Sequence, residues 1–350
     1  MSEATPLFAA LDLGTNNCRL LIAAPDEGGF RIVDAFSRIV RLGEGVSDSG
    51  RLGEAAMSRA IGALKICAEK VRSRGVQQIR AVATQACRSA ANGPEFIAVV
   101  EQSTGLRLEV ISPQEEARLA VAGCLDLLDR RSKAALVLDV GGGSTEISWI
   151  DMTHPGFAAV SRGAGRAPIK AWHSAPLGVV TLAERFPEAI GDAGHYRRMV
   201  EAVKITMTGF EGAEAMRDAF AAGGGHMVGT SGAITSLASL HLGLRRYDRN
   251  LVDGLWMTRD ECEVVGARLA SLTVAERAAE PCIGPDRADL VLAGAAILQA
   301  VQELWPCERV RVADRGLREG LLLSLMSTER KTRRRSRSRR RRGGRGGGSQ

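Results

Sequence analysis

An internal duplication constrains this chain more than any other feature. Leu11-Asp12-Leu13-Gly14-Thr15 and Leu138-Asp139-Val140-Gly141-Gly142 run in one order: apolar strand, Asp, apolar residue, Gly, small residues, second strand. Asp12 and Asp139 stand 127 positions apart. Residues 7–13 and 19–24 read as the strands of the first hairpin, joined by a Gly/Thr/Asn turn. Residues 134–140 and 146–150 read as the second, across Gly141-Gly142-Gly143-Ser144-Thr145. Two such hairpins predict two similar α/β domains facing each other across a cleft.

The rest of the pattern is also mixed α/β. In 54–72 the apolar residues Ala56, Ala60, Ile61, Leu64 and Cys67 recur at helical spacing. Strands are expected at 79–83 and 106–111, and a helix at 96–102. Pro113 opens a helix that carries Glu115 and Glu116, since proline suits a first helical turn. A strand at Met227-Val228 runs into Gly229-Thr230-Ser231-Gly232, followed by a helix at 234–242. A helix rich in small residues at 288–304, a short strand at 309–312 and a closing helix at 317–326 complete the body.

Bulk properties exclude several classes. The 350 residues are 45% hydrophobic and 25% charged, enough for a large core. No apolar run is long enough to span a bilayer, so no membrane partner is expected. Met1 to Pro6 lacks the features of a signal peptide, and the cytoplasm is the expected location. The seven cysteines form no Cys-x-x-Cys pair and the five histidines show no ligand spacing, so neither a disulfide framework nor a histidine metal centre is expected. Residues 330–350 hold eleven Lys or Arg and no acid. Taking those eleven from the net charge of +7 leaves the body at −4. The segment 329–350 is expected to be a disordered Arg/Gly-rich tail. It suits nucleic acid or polyphosphate as a partner, but a solvated appendage has the same composition.

The loops suit phosphate. An Asp at a strand end followed by a glycine turn sets a carboxylate beside exposed backbone N–H groups. Those groups bind phosphate oxygens; the carboxylate makes sense if a divalent cation such as Mg²⁺ bridges it to the phosphate. Either loop alone is also an ordinary hairpin turn; the pair, one with three consecutive glycines, favours phosphate. Gly229 to Gly232 ahead of a helix is a weaker third anion site. Hydrolysis needs a base to take a proton from water, and Glu115 or Glu116 is a candidate. On pattern alone a solvated acidic helix terminus is the better reading of that pair. Neither a P-loop nor a Gly-x-Ser-x-Gly elbow is present.

These residues match a known pattern. Leu11-Asp-Leu-Gly-Thr-Asn-Asn-Cys-Arg-Leu, Val40-Arg-Leu-Gly-Glu-Gly, Ala83-Thr-Gln-Ala-Cys-Arg, Ile111-Ser-Pro-Gln-Glu-Glu-Ala-Arg-Leu, Leu138-Asp-Val-Gly-Gly-Gly-Ser-Thr-Glu, Val228-Gly-Thr-Ser-Gly and Asp314-Arg-Gly-Leu-Arg-Glu-Gly occur in that order. Over about residues 7–325 the chain resembles the exopolyphosphatase and guanosine-pentaphosphate phosphatase family (Ppx/GppA), in a short form without the C-terminal helical domain of longer members. The resemblance implies two actin/sugar-kinase/Hsp70-like (ribonuclease H-like) domains with an interdomain cleft. Domain I would be 1–114, with 313–328 packing back on it, and domain II 115–312, hinged at about Glu115. It implies Glu116 as catalytic base, Glu115 as its fallback and Arg88 holding a phosphate. Asp139 and Glu146 would lie near Mg²⁺ and water, with Asp12 opposite. Gly14, Thr15, Asn16 and Asn17, then Gly141, Gly142, Gly143, Ser144 and Thr145, would bind phosphate, joined by Gly229, Ser231 and Gly232. The chain departs from the family at Pro113, where Gly is usual, at Ala233, where Thr is common, and at Arg19, where a smaller or neutral residue is usual.

The implied activity is release of orthophosphate from inorganic polyphosphate, in a homodimer. Guanosine pentaphosphate is the alternative substrate, and aromatics at 4% lean away from a base-stacking pocket. A non-catalytic polyphosphate or nucleotide sensor is the alternative of another class, against which Glu116, Asp139 and Glu146 stand. A kinase of the same superfamily lacks an acceptor-sugar signature.

Overall fold

The structure is a computed structural model. It describes every residue except 1–4, 28, 158–166, 190, 191, 193, 208, 209, 211 and 329–350. The basic tail and its expected disorder therefore lie outside the described residues.

Two mixed sheets carry the fold. The first contains β1 (Phe8–Leu13), β2 (Asn17–Asp26), β3 (Gly29–Ile39), β4 (Gln78–Ala83) and β5 (Leu108–Val110), in the order β3-β2-β1-β4-β5. The second contains β6 (Ala134–Val140), β7 (Thr145–Asp151), β8 (Ile169–Ala175), β9 (Gly225–Thr230), β10 (Trp256–Thr258) and β11 (Arg309–Ala313), in the order β10-β11-β9-β6-β7-β8. Each begins as an antiparallel three-strand meander, and parallel strands then extend it: β4 and β5 beyond β1, β9 and β11 beyond β6. The expected duplication thus covers five strands, in an α/β fold of the actin-like type. The third meander strands, β3 and β8, gave no clear sequence signal. Both are largely exposed or half-buried, so apolar alternation is weak in them.

Period-two alternation fixes which side chains face which layer. Ala9, Leu11 and Leu13 of β1 enter the core on one face of the first sheet, and Phe8 and Ala10 enter the cluster on the other. Leu136, Leu138 and Val140 of β6 join the largest core, whereas Ala135 and Val137 face the opposite layer.

One helix, Pro113–Cys124, touches both halves. Ser112 caps it, its Oγ accepting from the Glu115 N–H at 3.2 Å. Pro113 sits in the first turn, so it does not delay the helix. Leu119 packs behind the first sheet with Leu321, Leu322 and Met326 of the helix at 317–328; Val121 and Cys124 pack behind the second sheet. The two helices cross backbone to backbone. A Cβ added at Gly123 would sit 2.0 Å from the Gly316 carbonyl oxygen, and one at Gly320 would sit 2.1 Å from that of Leu119. All seven cysteines are free thiols. Among the described residues no helix is long and apolar enough to cross a membrane.

Candidate active site between the two hairpin loops

The two loops close with the same hydrogen bond. The Gly14 N–H donates to the Asn17 carbonyl at 2.8 Å, and the Gly141 N–H donates to the Ser144 carbonyl at 2.9 Å. Loop carbonyls are drawn away from the cleft. The Thr15 carbonyl accepts from the Gly43 N–H at 2.9 Å, and the Asn16 carbonyl from Val40 at 2.8 Å and Arg41 at 3.0 Å. The Gly141 and Gly142 carbonyls accept from Val179 at 3.0 Å and Val180 at 2.8 Å, which open the helix Val179–Arg185. The N–H groups of Thr15, Asn16, Gly142 and Gly143 donate no hydrogen bond among the described residues. Each loop therefore presents donors with its acceptors turned back, which is what an anion requires.

The loops also touch. A Cβ at Gly142 would lie 2.9 Å from Thr15 Cβ and 3.1 Å from the Asn16 nitrogen; one at Gly143 would lie 2.8 Å from Thr15 Oγ1. Glycine is required here by the approach of the other loop.

Acids gather beneath them. Asp12, Glu116 and Asp139 line the cleft, and Glu146 is buried next to them as the cross-strand partner of Asp139. Glu116 is only 8% exposed, and its Oε2 accepts from Arg88 Nη1 at 3.2 Å. Burial pushes the Glu116 carboxyl well above the carboxylate range; the Glu146 charge adds to this and Arg88 opposes it. Burial, then the charges of Glu146 and Asp12, push Asp139 up to about 8. Burial also raises Glu146, against hydrogen bonds from Ser174 and Ser144. Asp12 is raised by burial and held down in part by Arg19, and its Oδ1 is buried with no hydrogen-bond partner.

Most expected residues meet in this one cleft: Gly14 to Asn17, Gly141 to Ser144, and Ser231 and Gly232 line it with the three acids. Five do not line it, and each has a physical reason. Thr145 is fully buried and its hydroxyl donates to the Leu177 carbonyl at 2.7 Å. Gly229 lies within β9, against Ile234 and Val310. Glu115 turns outward: Arg118 Nε and Nη2 each donate to it at 2.7 Å, Arg80 adds to them, and these cations hold it below its usual range. Arg88 stands behind Glu116, donating to the Ile111 carbonyl at 2.7 Å and to Gln85. Glu146 is enclosed, with the Ser174 hydroxyl donating to it at 2.8 Å. Ser231 has φ +141°, and its hydroxyl caps its own helix by accepting from Ala233 and Ile234. Ala233 is small because Gly294 packs on it; a Cβ at Gly294 would lie 2.5 Å from Ala233 Cβ.

The cleft also holds residues to which the sequence reading gave no role. Arg287, Arg315 and Arg318 line it with Arg19, and Asp314 and Glu319 lie among them. Burial, reinforced by Arg318, lowers the pKa of Arg19, as expected for a cation confined beside other cations. Arg318 lies in a stretch singled out as a motif, Asp314-Arg-Gly-Leu-Arg-Glu-Gly; Arg287 has no comparable local signal.

Among the described residues no group of three or more His, Cys, Asp or Glu forms a ready-made metal cage. Mg²⁺ does not need one, because it takes one or two carboxylates, keeps water and uses phosphate oxygens. The unpartnered oxygen of Asp12 and the mutually repelling Asp139 and Glu146 are oxygen donors of the kind such a cation neutralises, so the donor set fits a divalent cation.

Comparison with known proteins identifies the family. Residues 21–329 match the family model described as the Ppx/GppA phosphatase family. The chain is 31% identical over 334 residues to Exopolyphosphatase 2 of Mycobacterium tuberculosis, covering 91% of this chain and 98% of that one. It is 28% identical over 323 residues to a guanosine-5'-triphosphate,3'-diphosphate pyrophosphatase of Aeromonas hydrophila, covering 92% of this chain and 60% of that one. The crystal structure of the Aquifex aeolicus Ppx/GppA family member superposes with a TM-score of 0.74 at 28% identity, over 93% of this chain and 99% of that one. With its duplicated hairpin loops and buried acids, this chain belongs to the Ppx/GppA phosphatase family and is a hydrolase of that family.

Proposed function

We propose that this phosphatase is an exopolyphosphatase, releasing orthophosphate from the end of inorganic polyphosphate. The observation that carries the substrate choice is the cleft lining: among the described residues it contains four arginines, Arg19, Arg287, Arg315 and Arg318, and two donor loops but no aromatic side chain. A phosphate chain needs charge and donors along its length, whereas a guanine base would gain from a stacking surface.

The free N–H groups of Thr15, Asn16, Gly142 and Gly143 bind oxygens of the terminal phosphates. Arg19, Arg287 and Arg318 offset the charge of the phosphates behind. Asp12 and Asp139 are the residues that would hold Mg²⁺, with Glu146 beside them; the ion supplies positive charge to the phosphate oxygens. Glu116 orients a water in line with the terminal phosphorus and takes its proton. The water oxygen bonds to phosphorus, the bridging P–O bond breaks, and the shortened chain leaves with the electron pair. A raised pKa makes Glu116 a good proton acceptor once it is ionised, and Arg88 fixes its carboxylate. Phosphoryl transfer of this kind depends on positioning and charge neutralisation more than on covalent chemistry.

The test is orthophosphate release, with Mg²⁺, from polyphosphates of defined length and from guanosine pentaphosphate, for wild type and Glu116→Gln. Release from polyphosphate that vanishes in the variant supports the proposal. Equal activity of the variant overturns Glu116 as base. Preference for guanosine pentaphosphate selects the second reading. No release from either substrate leaves a sensor.

A further inference from the structure

Arg41 bridges the first phosphate loop and the opposite wall of the cleft. Its N–H donates to the Asn16 carbonyl at 3.0 Å, so its backbone is fixed to the loop. Its φ is +47°, a left-handed conformation that a long side chain adopts only when its surroundings impose it. The guanidinium leaves this anchor and grips the second half of the molecule. Nη1 donates to Asp289 Oδ2 at 2.7 Å, and Nη2 donates to Asp289 Oδ1 at 3.0 Å and to the Asp286 carbonyl at 3.2 Å. Between those two contact points in the chain lies Arg287, which lines the cleft. Arg59 buttresses the segment, Nε donating to the Val40 carbonyl at 2.9 Å and Nη2 to Glu44 at 2.6 Å.

A second link crosses the same gap. The Gly45 N–H donates to Glu184 Oε1 at 2.9 Å. Glu184 belongs to the helix Val179–Arg185, whose first N–H groups hold the carbonyls of the second phosphate loop. The segment 40–45 is therefore tied to both loops and to the turn that carries Arg287.

We propose that Arg41 is a positioning residue: it clasps the Asp286–Asp289 turn so that Arg287 is held over a phosphate chain seated in the first loop. The proposal deepens the phosphate-chain reading of the cleft and rests on it. A planar bidentate fork defines orientation as well as charge, which lysine would not reproduce. The ion pair is a poor candidate for mere stabilisation. Its side chains are 32% and 40% exposed, and exposed pairs add little to folding. Its use is geometric, linking occupancy of Thr15 and Asn16 to the place of a cation on the far wall.

The test is a set of variants: Arg41→Gln, Arg41→Lys, Asp289→Asn, the Gln/Asn double, and Arg41→Gln in an Arg287→Ala background. Steady-state release from polyphosphate is read in protein with Glu116 intact. Affinity for inorganic tripolyphosphate is read by calorimetry in Glu116→Gln protein. We expect Arg41→Gln and Asp289→Asn each to raise KM and weaken tripolyphosphate binding about tenfold, within the usual range of a coupling between two sites, with Tm unchanged. Arg41→Lys should recover little. The double should be no worse than either single, and Arg41→Gln should do nothing further once Arg287 is absent. Additive effects, an effect that persists without Arg287, or unchanged binding would overturn the clasp. If wild type releases no orthophosphate yet tripolyphosphate binding shows this coupling, the hydrolytic reading falls and the clasp stands.

Discussion

Arg19 and Glu146 occupy the same position in their respective hairpins and carry opposite charges. Arg19 pairs across the strands with Asp12, and Glu146 pairs with Asp139. The duplicated backbone thus gives one hairpin a carboxylate beside a cation and the other a carboxylate beside a second carboxylate. Burial disfavours ionisation of both acids, and at Asp139 the Glu146 charge adds to it, so the acids of the second hairpin lie above the usual carboxylate range.

A pH dependence follows for the metal-free protein. The Asp139 pKa is raised from 3.8 to about 8. A folded-state pKa above the unfolded one contributes stability that is present at low pH and lost as pH rises through the folded value. Without divalent cation, Tm should fall between about pH 4 and pH 8, and Asp139→Asn should flatten that fall. Mg²⁺ should oppose it, and its apparent affinity should rise about tenfold per pH unit below pH 8 if one proton is displaced on binding. Thermal-shift titrations with and without Mg²⁺ read both effects. A pH-independent Tm in the metal-free wild type would contradict the assignment.

Neighbouring glutamates should behave differently. Glu116→Gln should lower kcat by about 10²–10⁴, the usual contribution of a general base, with little loss of stability because burial already disfavours the ionised carboxylate. Glu115→Gln should leave kcat near wild type and cost about 0.2–1 kcal/mol, since its carboxylate is bound to Arg118 and Arg80 outside the cleft. Steady-state kinetics and urea denaturation of the two variants separate these outcomes.

What the sequence made legible follows from what is local. The repeat in 11–15 and 138–142 marked both hairpin loops, because strand, turn and glycine are written in adjacent residues. Pro113 marked the start of the helix bearing Glu116. Arg287 was not legible, since its approach to the cleft depends on a turn gripped by a residue almost 250 positions earlier. Thr145 and Glu115 were misplaced for a related reason. Residue type and spacing suggested a phosphate ligand in Thr145 and a fallback base in Glu115, but side-chain direction is decided by tertiary partners, the Leu177 carbonyl and Arg118.

Gly178 gives a test of the second loop from outside it. Its backbone is extended, with φ −123°, so alanine meets no conformational barrier. A Cβ there would nevertheless lie 2.4 Å from the Gly141 carbonyl oxygen and 2.5 Å from the Gly142 carbonyl. Gly178→Ala should push the loop towards Thr15, cost about 1–3 kcal/mol as overpacking does, and reduce kcat/KM at temperatures where the variant is fully folded. Wild-type kcat/KM in that variant would mean that the loop does not depend on this contact.

The helix crossing behind the cleft gives a comparison in which stability and substrate binding should part. Gly320 lies against the Leu119 carbonyl, and Arg318, two residues before it, lines the cleft. Gly320→Ala must move one helix away from the other, carrying Arg318 with it. Leu321 is fully buried in the same layer, but its side chain is not at the backbone contact. Leu321→Ala should cost about 2–5 kcal/mol through the cavity it leaves, yet keep the crossing and therefore the KM for polyphosphate. Gly320→Ala should cost about 1–3 kcal/mol and raise KM as well. Denaturant midpoints and KM values measured well below both transitions decide the matter; equal KM in the two variants would show that the crossing does not position Arg318.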